Sequence, residues 1–120
     1  MGAFNRRAGA SDQDAVDRPR IIRKYPRFEV QIPVSLSKDG LDADGTVYNL
    51  SIGGCRVDSD HTIQRGEYVA LRLYVSYGEP PIMVEVAAVR WSAGKEFGLE
   101  FLVIAEDQKE RLRSVLVKLG

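Results

Sequence analysis

The chain has 120 residues, of which 44% are hydrophobic and 28% charged, and its 17 basic and 17 acidic groups leave no formal net charge. This length allows one domain with one modest core, and the composition excludes a disordered or fibrous protein. No apolar stretch is long enough to cross a bilayer and no apolar signal-peptide core opens the chain, so we expect a cytoplasmic protein without membrane insertion. Because Cys55 is the only cysteine, an internal disulfide is excluded, and we expect a buried core thiol.

The charge is unevenly distributed along the chain. Residues 1–27 hold seven basic and three acidic groups, whereas residues 28–120 hold ten basic and fourteen acidic groups. A protein that binds DNA or RNA usually needs a broader basic face, so we expect no nucleic-acid partner. A short basic arm that acts on a small anionic ligand agrees better with this distribution.

The first 21 residues show no apolar periodicity and carry glycines, a proline and scattered charges. We expect residues 1–21 to be a flexible basic tail and residues 22–120 to be the folded domain.

Strands dominate the next part of the chain. Apolar and polar residues alternate over residues 28–37, which predicts a strand with one face on a core. Pro33 falls on its polar register and predicts an unpaired edge position, and Asp39-Gly40 predicts a tight turn. Five further strands are predicted at about residues 41–49, 55–57, 68–75, 82–91 and 96–102. The fifth strand of the six is apolar on both registers over part of its length, which predicts a central position.

The C-terminal segment changes to a helical period. Its apolar stripe consists of Leu112, Val115, Leu116 and Leu119. Six strands followed by this helix predict an all-β fold, a small six-stranded antiparallel barrel plugged or flanked by a C-terminal α-helix.

Two short motifs are candidates for function. Arg23 and Arg27 lie four residues apart just before the first strand, and a planar cation pair can stack on a purine and bind its phosphates. Alone, this spacing is more typical of a solvated hinge.

The second motif, Asn49-Leu50-Ser51-Ile52-Gly53-Gly54, lies between two strands. Its polar side chains can bind a guanine or a phosphate, and its glycines allow close approach of a ligand to the backbone. Alone, it is more typical of a well-made β-turn.

Taken together, the two motifs resemble those of the PilZ domain family, R-x-x-x-R followed by [D/N]-x-S-x-x-G. A strand that ends in Trp91 and a closing Phe97-Gly98-Leu99-Glu100-Phe101 add to the resemblance, which covers about residues 20–120. The resemblance implies a six-stranded barrel with a C-terminal helix that binds cyclic di-GMP, a bacterial second messenger.

The resemblance also implies roles for individual residues. Arg23 and Arg27 would bind the guanine faces, their Hoogsteen edges and the phosphates. Asn49 and Ser51 would contact a guanine and nearby polar groups, and Gly54, next to Gly53, would hold the turn open. The further candidates for ligand contact are Arg18, Arg20, Lys24 and Trp91. An amide at position 49 pairs with the guanine N1–H and N2–H edge less strongly than a carboxylate does.

Trp91 has two interpretations, a core aromatic or a ring that lies beside a guanine, and Arg90 is expected on the opposite face of the strand. His61, the only histidine, is expected in a solvated loop. Asp42 and Asp44 form an alternate-residue carboxylate pair that we expect to be a solvated edge. No catalytic triad, histidine–cysteine cluster or P-loop is present, so we expect neither an enzyme nor a metal site, and no cofactor besides the ligand.

Three functional hypotheses follow. The first is a stand-alone cyclic di-GMP receptor, in which the ligand orders the N-terminal arm and so changes a surface that a downstream protein binds. In the family, the downstream processes include motility and exopolysaccharide production. The second is an interaction adaptor on the same fold with weak or no nucleotide binding. The third, a barrel that binds single-stranded nucleic acid, is disfavoured by the net acidic body. The partner, the number of bound nucleotides and the oligomeric state stay open.

Overall fold

The computed structural model describes residues 25–120. The predictions for the tail at residues 1–21, and for Arg18, Arg20, Arg23 and Lys24, fall outside the described residues. Six strands and one helix follow in chain order: β1 Phe28–Lys38, β2 Leu41–Ser51, β3 Gly54–Ser59, β4 Tyr68–Leu73, β5 Ile82–Ala93, β6 Glu96–Val103 and α1 Glu106–Leu119.

The strands close into a barrel in the order β1-β2-β3-β6-β5-β4, and every neighbouring pair is antiparallel. The predicted fold, a six-stranded antiparallel barrel with a C-terminal helix, is therefore confirmed. Alternation places one side of each strand inside the barrel, where a single apolar cluster fills the interior.

The turn between β1 and β2 has the predicted chemistry. Lys38 pairs with Leu41, so only two residues make the connection. Asp39 and Gly40 both adopt positive φ, 53° and 80°, which are the backbone angles of a type I′ turn. Aspartate tolerates this region better than most residues, and glycine adopts it without strain.

Pro33 determines where the pairing between β1 and β4 ends. The register of the two strands begins at Val34 and Leu73, and Pro33 contributes only its carbonyl, which accepts a hydrogen bond from the Tyr74 N–H at 3.0 Å. Because proline has no N–H to donate, the ladder stops there. The prediction that the fourth strand reaches Val75 was thus wrong by two residues, although Val75 still packs against the core.

Helix α1 adds Leu112 and Leu116 to the core of the barrel, with Val115 packed against it. Burial decreases along the helix, from 0% exposure at Leu112 to 9% at Leu116 and 45% at Leu119. Leu119, the last member of the predicted apolar stripe, is therefore exposed, because the last turn projects beyond the core. The helix lies over β5, where the Gln108 side-chain oxygen accepts a hydrogen bond from the Met83 N–H.

Candidate functional site

The structure brings the two sequence motifs into contact. Arg27 lies just before β1 and Asn49 lies near the end of β2, in register with Glu29 of β1. The Arg27 guanidinium donates a hydrogen bond from Nη1 to Asn49 Oδ1 over 3.1 Å. Arg27 of the first motif and Asn49 of the second are thus neighbours on the barrel.

Tyr25 holds the described start of the arm, residues 25–27, against the turn that follows β2. A Cβ placed on Gly53 would lie 2.8 Å and 2.9 Å from two carbons of the Tyr25 ring, closer than such atoms approach in proteins. Gly53 therefore creates the surface on which the ring lies. Its carbonyl also accepts a hydrogen bond from the Phe101 N–H, which ties the turn to β6.

Ser51 builds this turn from within. Its Oγ accepts hydrogen bonds from the N–H groups of Gly53 and Gly54, each at 3.1 Å, and the residue is only 3% exposed. A serine hydroxyl in this arrangement replaces a backbone acceptor and fixes the turn. The structure thus gives Ser51 a positioning role, and its direct contact with a ligand stays a prediction.

Gly54 is needed because two strands approach each other closely. A Cβ at this position would overlap the backbone carbonyl oxygen of Leu99 on β6. Gly54 pairs with Glu100 in the β3–β6 register, so the close approach is part of the barrel wall. We predicted that Gly54 holds the turn open for a ligand. In the structure, the lack of a side chain at Gly54 allows β6 to pack closely beside β3.

A bulge in β2 places two consecutive side chains on the outside of the barrel. Val47 pairs with Val57 and Asn49 pairs with Arg56, so Tyr48 is an extra residue on β2. Val47 and Leu50 on either side both point into the core and are fully buried. Tyr48 and Asn49 therefore share the outer face.

Trp91 lies on the same outer face, on the far side of β6. The β5–β6 register pairs Trp91 with Gly98, and a Cβ on Gly98 would overlap the indole, so the ring lies directly across the glycine. Trp91 is half-buried and belongs to the wall of the barrel, not to its core. Of its two predicted positions, the core position was wrong.

Arg90 also lies on the outer face, contrary to the prediction that it points away from Trp91. Val89 pairs with Leu99 and Trp91 with Gly98, so Arg90 is the extra residue of a second bulge. Its Nε donates a hydrogen bond to Glu100 Oε1 over 2.6 Å. Because Glu100 and Gly98 share a face of β6, the bulge turns both Arg90 and Trp91 outward.

The bulges align four residues of four strands across the outside of the barrel. Asn49 pairs with Arg56, Arg56 with Gly98, and Gly98 with Trp91. We call Asn49, Arg56, Gly98 and Trp91 the outer row. Four adjacent strands span about 14 Å in the hydrogen-bonding direction. Arg27 joins this row at the Asn49 end through its hydrogen bond.

Arg56 is the member of the outer row that the sequence did not reveal as a candidate. Its guanidinium carbon lies 5.5 Å from the centre of the Tyr48 ring, which supports the cation from one side. Its Nε is buried and meets no hydrogen-bond partner among residues 25–120. Only the position of Arg56 directly after Gly54-Cys55 could have drawn attention to it, since cross-strand pairing is not visible in the sequence.

Asp58 lies two residues beyond Arg56 on the same side of β3. Its pKa is raised above the ordinary value, first by burial and then by the carboxylate of Glu96, its partner across the β3–β6 register, while Arg56 acts in the opposite direction. The Oδ1 atom of Asp58 is buried without a hydrogen-bond partner in the described part of the chain. The outer face around Asp58 and Glu96 therefore carries two neighbouring carboxylates whose negative charge is only partly compensated.

The other residues that the sequence analysis considered, Cys55, His61 and Asp42, are not part of the outer row. Cys55 is buried, and that burial raises the pKa of its thiol to about 12. His61 is exposed. Asp42 is less isolated than expected, since it accepts a hydrogen bond from Ser37 and lies 3.7 Å from Arg72. Within residues 25–120, no group of histidine, cysteine and carboxylate side chains could hold a metal ion.

A surface depression of about 570 Å³ lies elsewhere, between β1, β4 and β5. Its charged residues are Asp39, Glu67, Glu85 and Lys38, three carboxylates and one ammonium group. Such a lining repels an anionic ligand, so the outer row and not this depression is the candidate for nucleotide binding. Among the described residues, no helix is long and apolar enough to span a bilayer.

Comparison with protein families decides the classification. The family model of the PilZ domain matches residues 21–118, which is most of the chain. The chain belongs to the PilZ domain family. The resemblance that the motifs indicated is therefore confirmed. The curated proteins contain no significant match.

Solved PilZ structures share the fold. The inhibitor of motility MotI/DgrA of Bacillus subtilis is 25% identical with a TM-score of 0.64, over 82% of this chain and 52% of that one. The PilZ domain of YcgR from Escherichia coli, solved with c-di-GMP, is 15% identical with a TM-score of 0.66, over 81% of this chain and 90% of that one.

The PilZ domain of CeSA from a cellulose-synthesising bacterium is 20% identical with a TM-score of 0.62, over 78% of this chain and 97% of that one. This PilZ chain thus spans about half the length of MotI/DgrA and most of the length of the isolated domains.

Proposed function

We propose that this protein is a receptor for cyclic di-GMP and that the nucleotide binds along the outer row beneath the arginine arm. The observation that carries the proposal is the hydrogen bond between Arg27 and Asn49, which unites the two family motifs at one place on the barrel. Family membership and the c-di-GMP named for the YcgR structure support the same ligand.

The chemistry of the contacts fits a guanine nucleotide. A guanidinium can stack on a purine and also offer two parallel donors to the O6 and N7 acceptors of guanine. Arg27 supplies one such group, and Arg23 supplies a second in the proposal. The amide of Asn49 offers an acceptor and a donor to the base, and the indole of Trp91 offers a flat surface for a base to stack on.

In this proposal, the arm transmits the signal because it adjoins the end of helix α1. Phe28, the residue after Arg27, packs against the end of helix α1, where a Cβ on Gly120 would lie 3.1 Å from the Phe28 ring. The same helix end exposes Val117 and Leu119, at 73% and 45%. Ordering of the arm by the ligand therefore alters a surface with exposed apolar side chains, and a downstream protein reads that surface.

The test is isothermal titration of the whole chain with cyclic di-GMP. The parent protein saturates at micromolar concentrations, and Arg27→Ala weakens binding at least tenfold, since a hydrogen bond to a charged group is worth about 1.5–3 kcal/mol. Arg113→Ala, an exposed arginine of helix α1, is the control and binds like the parent. Absence of saturation at tens of micromolar for the parent would exclude the proposal.

A second candidate, an interaction adaptor with weak nucleotide binding, is favoured by one observation. In the structure, Asn49 already accepts a hydrogen bond from Arg27, and the Ser51 hydroxyl is engaged within its turn. A nucleotide must compete with the first of these contacts. The adaptor function predicts that a protein partner binds equally well with and without cyclic di-GMP, whereas the receptor function predicts a change.

The biological process is proposed by analogy with the relatives. The name of MotI/DgrA points to motility and that of CeSA to cellulose synthesis, so control of motility or exopolysaccharide production in the cytoplasm is the proposed setting. The activity is binding and not catalysis in this proposal.

A further inference from the structure

The outer row contains a second cation besides the arginine arm. Arg56 stands between Asn49 on one side and Gly98, with Trp91 across it, on the other. Any flat ligand that reaches from the Arg27–Asn49 contact to the Trp91 ring along this row must pass over Arg56.

The guanidinium of Arg56 is supported by an aromatic ring and forms no salt bridge with a residue of the described range 25–120. Tyr48 lies beneath it at 5.5 Å, and this contact is possible because the β2 bulge turns Tyr48 outward beside Asn49. The face of a tyrosine ring restricts the guanidinium without accepting a directed hydrogen bond from its N–H donors. The other arginines of the strands have anionic or hydroxyl partners: Arg90 binds Glu100, and Arg72 binds Ser35 and Ser37.

The hydrogen-bonding state of Arg56 indicates that an acceptor is missing. Its Nε is buried without a partner among residues 25–120, and its nearest acid along β3, Asp58, has a buried oxygen that is also without one. An unsatisfied buried donor of a charged group is costly, so such groups call for an explanation. A ligand with a pair of acceptors would satisfy it once the guanidinium turns outward, because Nε is buried in the present position.

We propose that Arg56 is a further nucleotide-binding residue and acts as a fork that takes two acceptors of the ligand. This inference rests on the proposed cyclic di-GMP function. Both the O6/N7 edge of guanine and a pair of phosphate oxygens present two acceptors to a planar guanidinium. Together, Arg27 and Arg56 bracket Asn49, and Trp91 closes the row.

The experiment is isothermal titration of the full chain with cyclic di-GMP for the parent and four variants. Arg56→Gln and Arg56→Met both keep the side-chain stem and remove the fork, so that one remains informative if the other does not fold. Arg56→Lys keeps the charge without the fork. Arg72→Gln is the matched control, because Arg72 is another half-buried outer arginine, on β4 across the barrel. Circular dichroism establishes that each variant is folded.

The proposal expects at least a tenfold loss of affinity for the folded neutral variants of Arg56, and a change below twofold for Arg72→Gln. Arg56→Lys then identifies the acceptors: recovery to within threefold of the parent assigns the phosphate, and no recovery assigns the guanine edge. Parent-like affinity of a folded neutral Arg56 variant would overturn this inference alone. A parent protein that does not bind would overturn the proposed function itself, and the two failures are thus distinguishable.

Discussion

Arg27 and Asn49, 22 positions apart in the chain, are joined by a side-chain hydrogen bond of 3.1 Å. The bond ties the residue that precedes the first strand to the end of the second strand, its direct neighbour in the barrel. It also means that Arg27 is held beside the outer row in the described structure. A ligand that uses Arg27 must therefore share or replace Asn49 as its partner.

Asn49→Asp is expected to strengthen this contact. A carboxylate makes a charge-assisted hydrogen bond with Arg27, worth up to about 1 kcal/mol of stability at an exposed site. The guanidinium favours the ionised carboxylate, so the gain is present above the unfolded-state pKa and is lost as the pH falls through the lower folded-state pKa. Urea denaturation at neutral and acidic pH measures it.

The same substitution in an Arg27→Ala background provides the control. Without the Arg27 guanidinium, Asn49→Asp is expected to stabilise less at neutral pH, since only its cross-strand neighbour Arg56 remains, so the two changes form a double-mutant cycle. An equal gain in both backgrounds would show that Arg27 is not the partner in solution.

Gly54→Ala and Gly98→Ala are both expected to destabilise the barrel, and to different extents. At Gly54 the added methyl meets the backbone carbonyl of Leu99, which cannot move without distorting β6, so a loss of about 3 kcal/mol or more is expected. At Gly98 it meets the Trp91 side chain, which can shift, so the loss is about 1–3 kcal/mol.

Tryptophan fluorescence separates the two cases, since Trp91 is the only tryptophan in the chain. Gly98→Ala is expected to shift the emission maximum to the red as the indole leaves its half-buried position, whereas Gly54→Ala leaves it near the parental value in the folded state. In a Trp91→Ala background, the destabilisation caused by Gly98→Ala should become smaller; an undiminished loss would contradict the contact.

Cys55 is expected to be inert in the native protein. The residue is buried, and a thiol pKa of about 12 leaves almost no thiolate at pH 8, the species that reacts with alkylating agents. Mass spectrometry after iodoacetamide treatment should find the native chain unmodified and the urea-unfolded chain modified. Rapid modification of the native protein at pH 8 would disprove the burial of this thiol.

Asp58→Asn is expected to stabilise the protein slightly at neutral pH. The pKa of Asp58 is raised in the folded state, so its ionisation opposes folding: the unfavourable contribution develops as the pH rises through the unfolded-state pKa and is complete above the folded-state value. The advantage of Asp58→Asn should therefore disappear in acid, below the ordinary aspartate pKa. Thermal unfolding between pH 3 and pH 7 measures it.

Asp60→Asn is the matched control for this prediction. Asp60 is highly exposed and lies 3.3 Å from the Lys95 ammonium group, so loss of its charge should change stability little at any pH. Equal pH profiles for the two variants would show that burial and the Glu96 carboxylate do not act on Asp58.

The sequence was sufficient for the features that depend on local patterns. Alternation over residues 28–37, the Asp39-Gly40 turn and the helical period at Leu112 and Leu116 all correspond to the structure. The proximity of Arg27 and Asn49 agrees with the order of the two motifs. These signals are read from neighbours in the chain, where residue type and spacing decide the outcome.

The features that were missed depend on pairing between strands. A single extra residue at Tyr48 or Arg90 leaves no mark in the apolar period, although it decides which side chains face outward. Arg56 could not be connected with Trp91 without the register of three strands. The turn role of Ser51 is set by two backbone N–H groups whose direction the sequence does not give.

The two bulges differ in how the fold would respond to the loss of one residue, because Arg90 is extra against β6, whereas Tyr48 faces irregular pairing with both β1 and β3. Removal of Tyr48 would keep Val47 and Leu50 directed inward and Asn49 outward, and removal of Arg90 would do the same for Val89 and Trp91. A protein without Arg90 thus retains its interior and differs in its exterior, whereas removal of Tyr48 would also leave Val30 and Gln31 of β1 without a residue opposite them. A deletion at Arg90 therefore gives evolution, or an engineer, a way to redesign the binding surface while the scaffold stays constant.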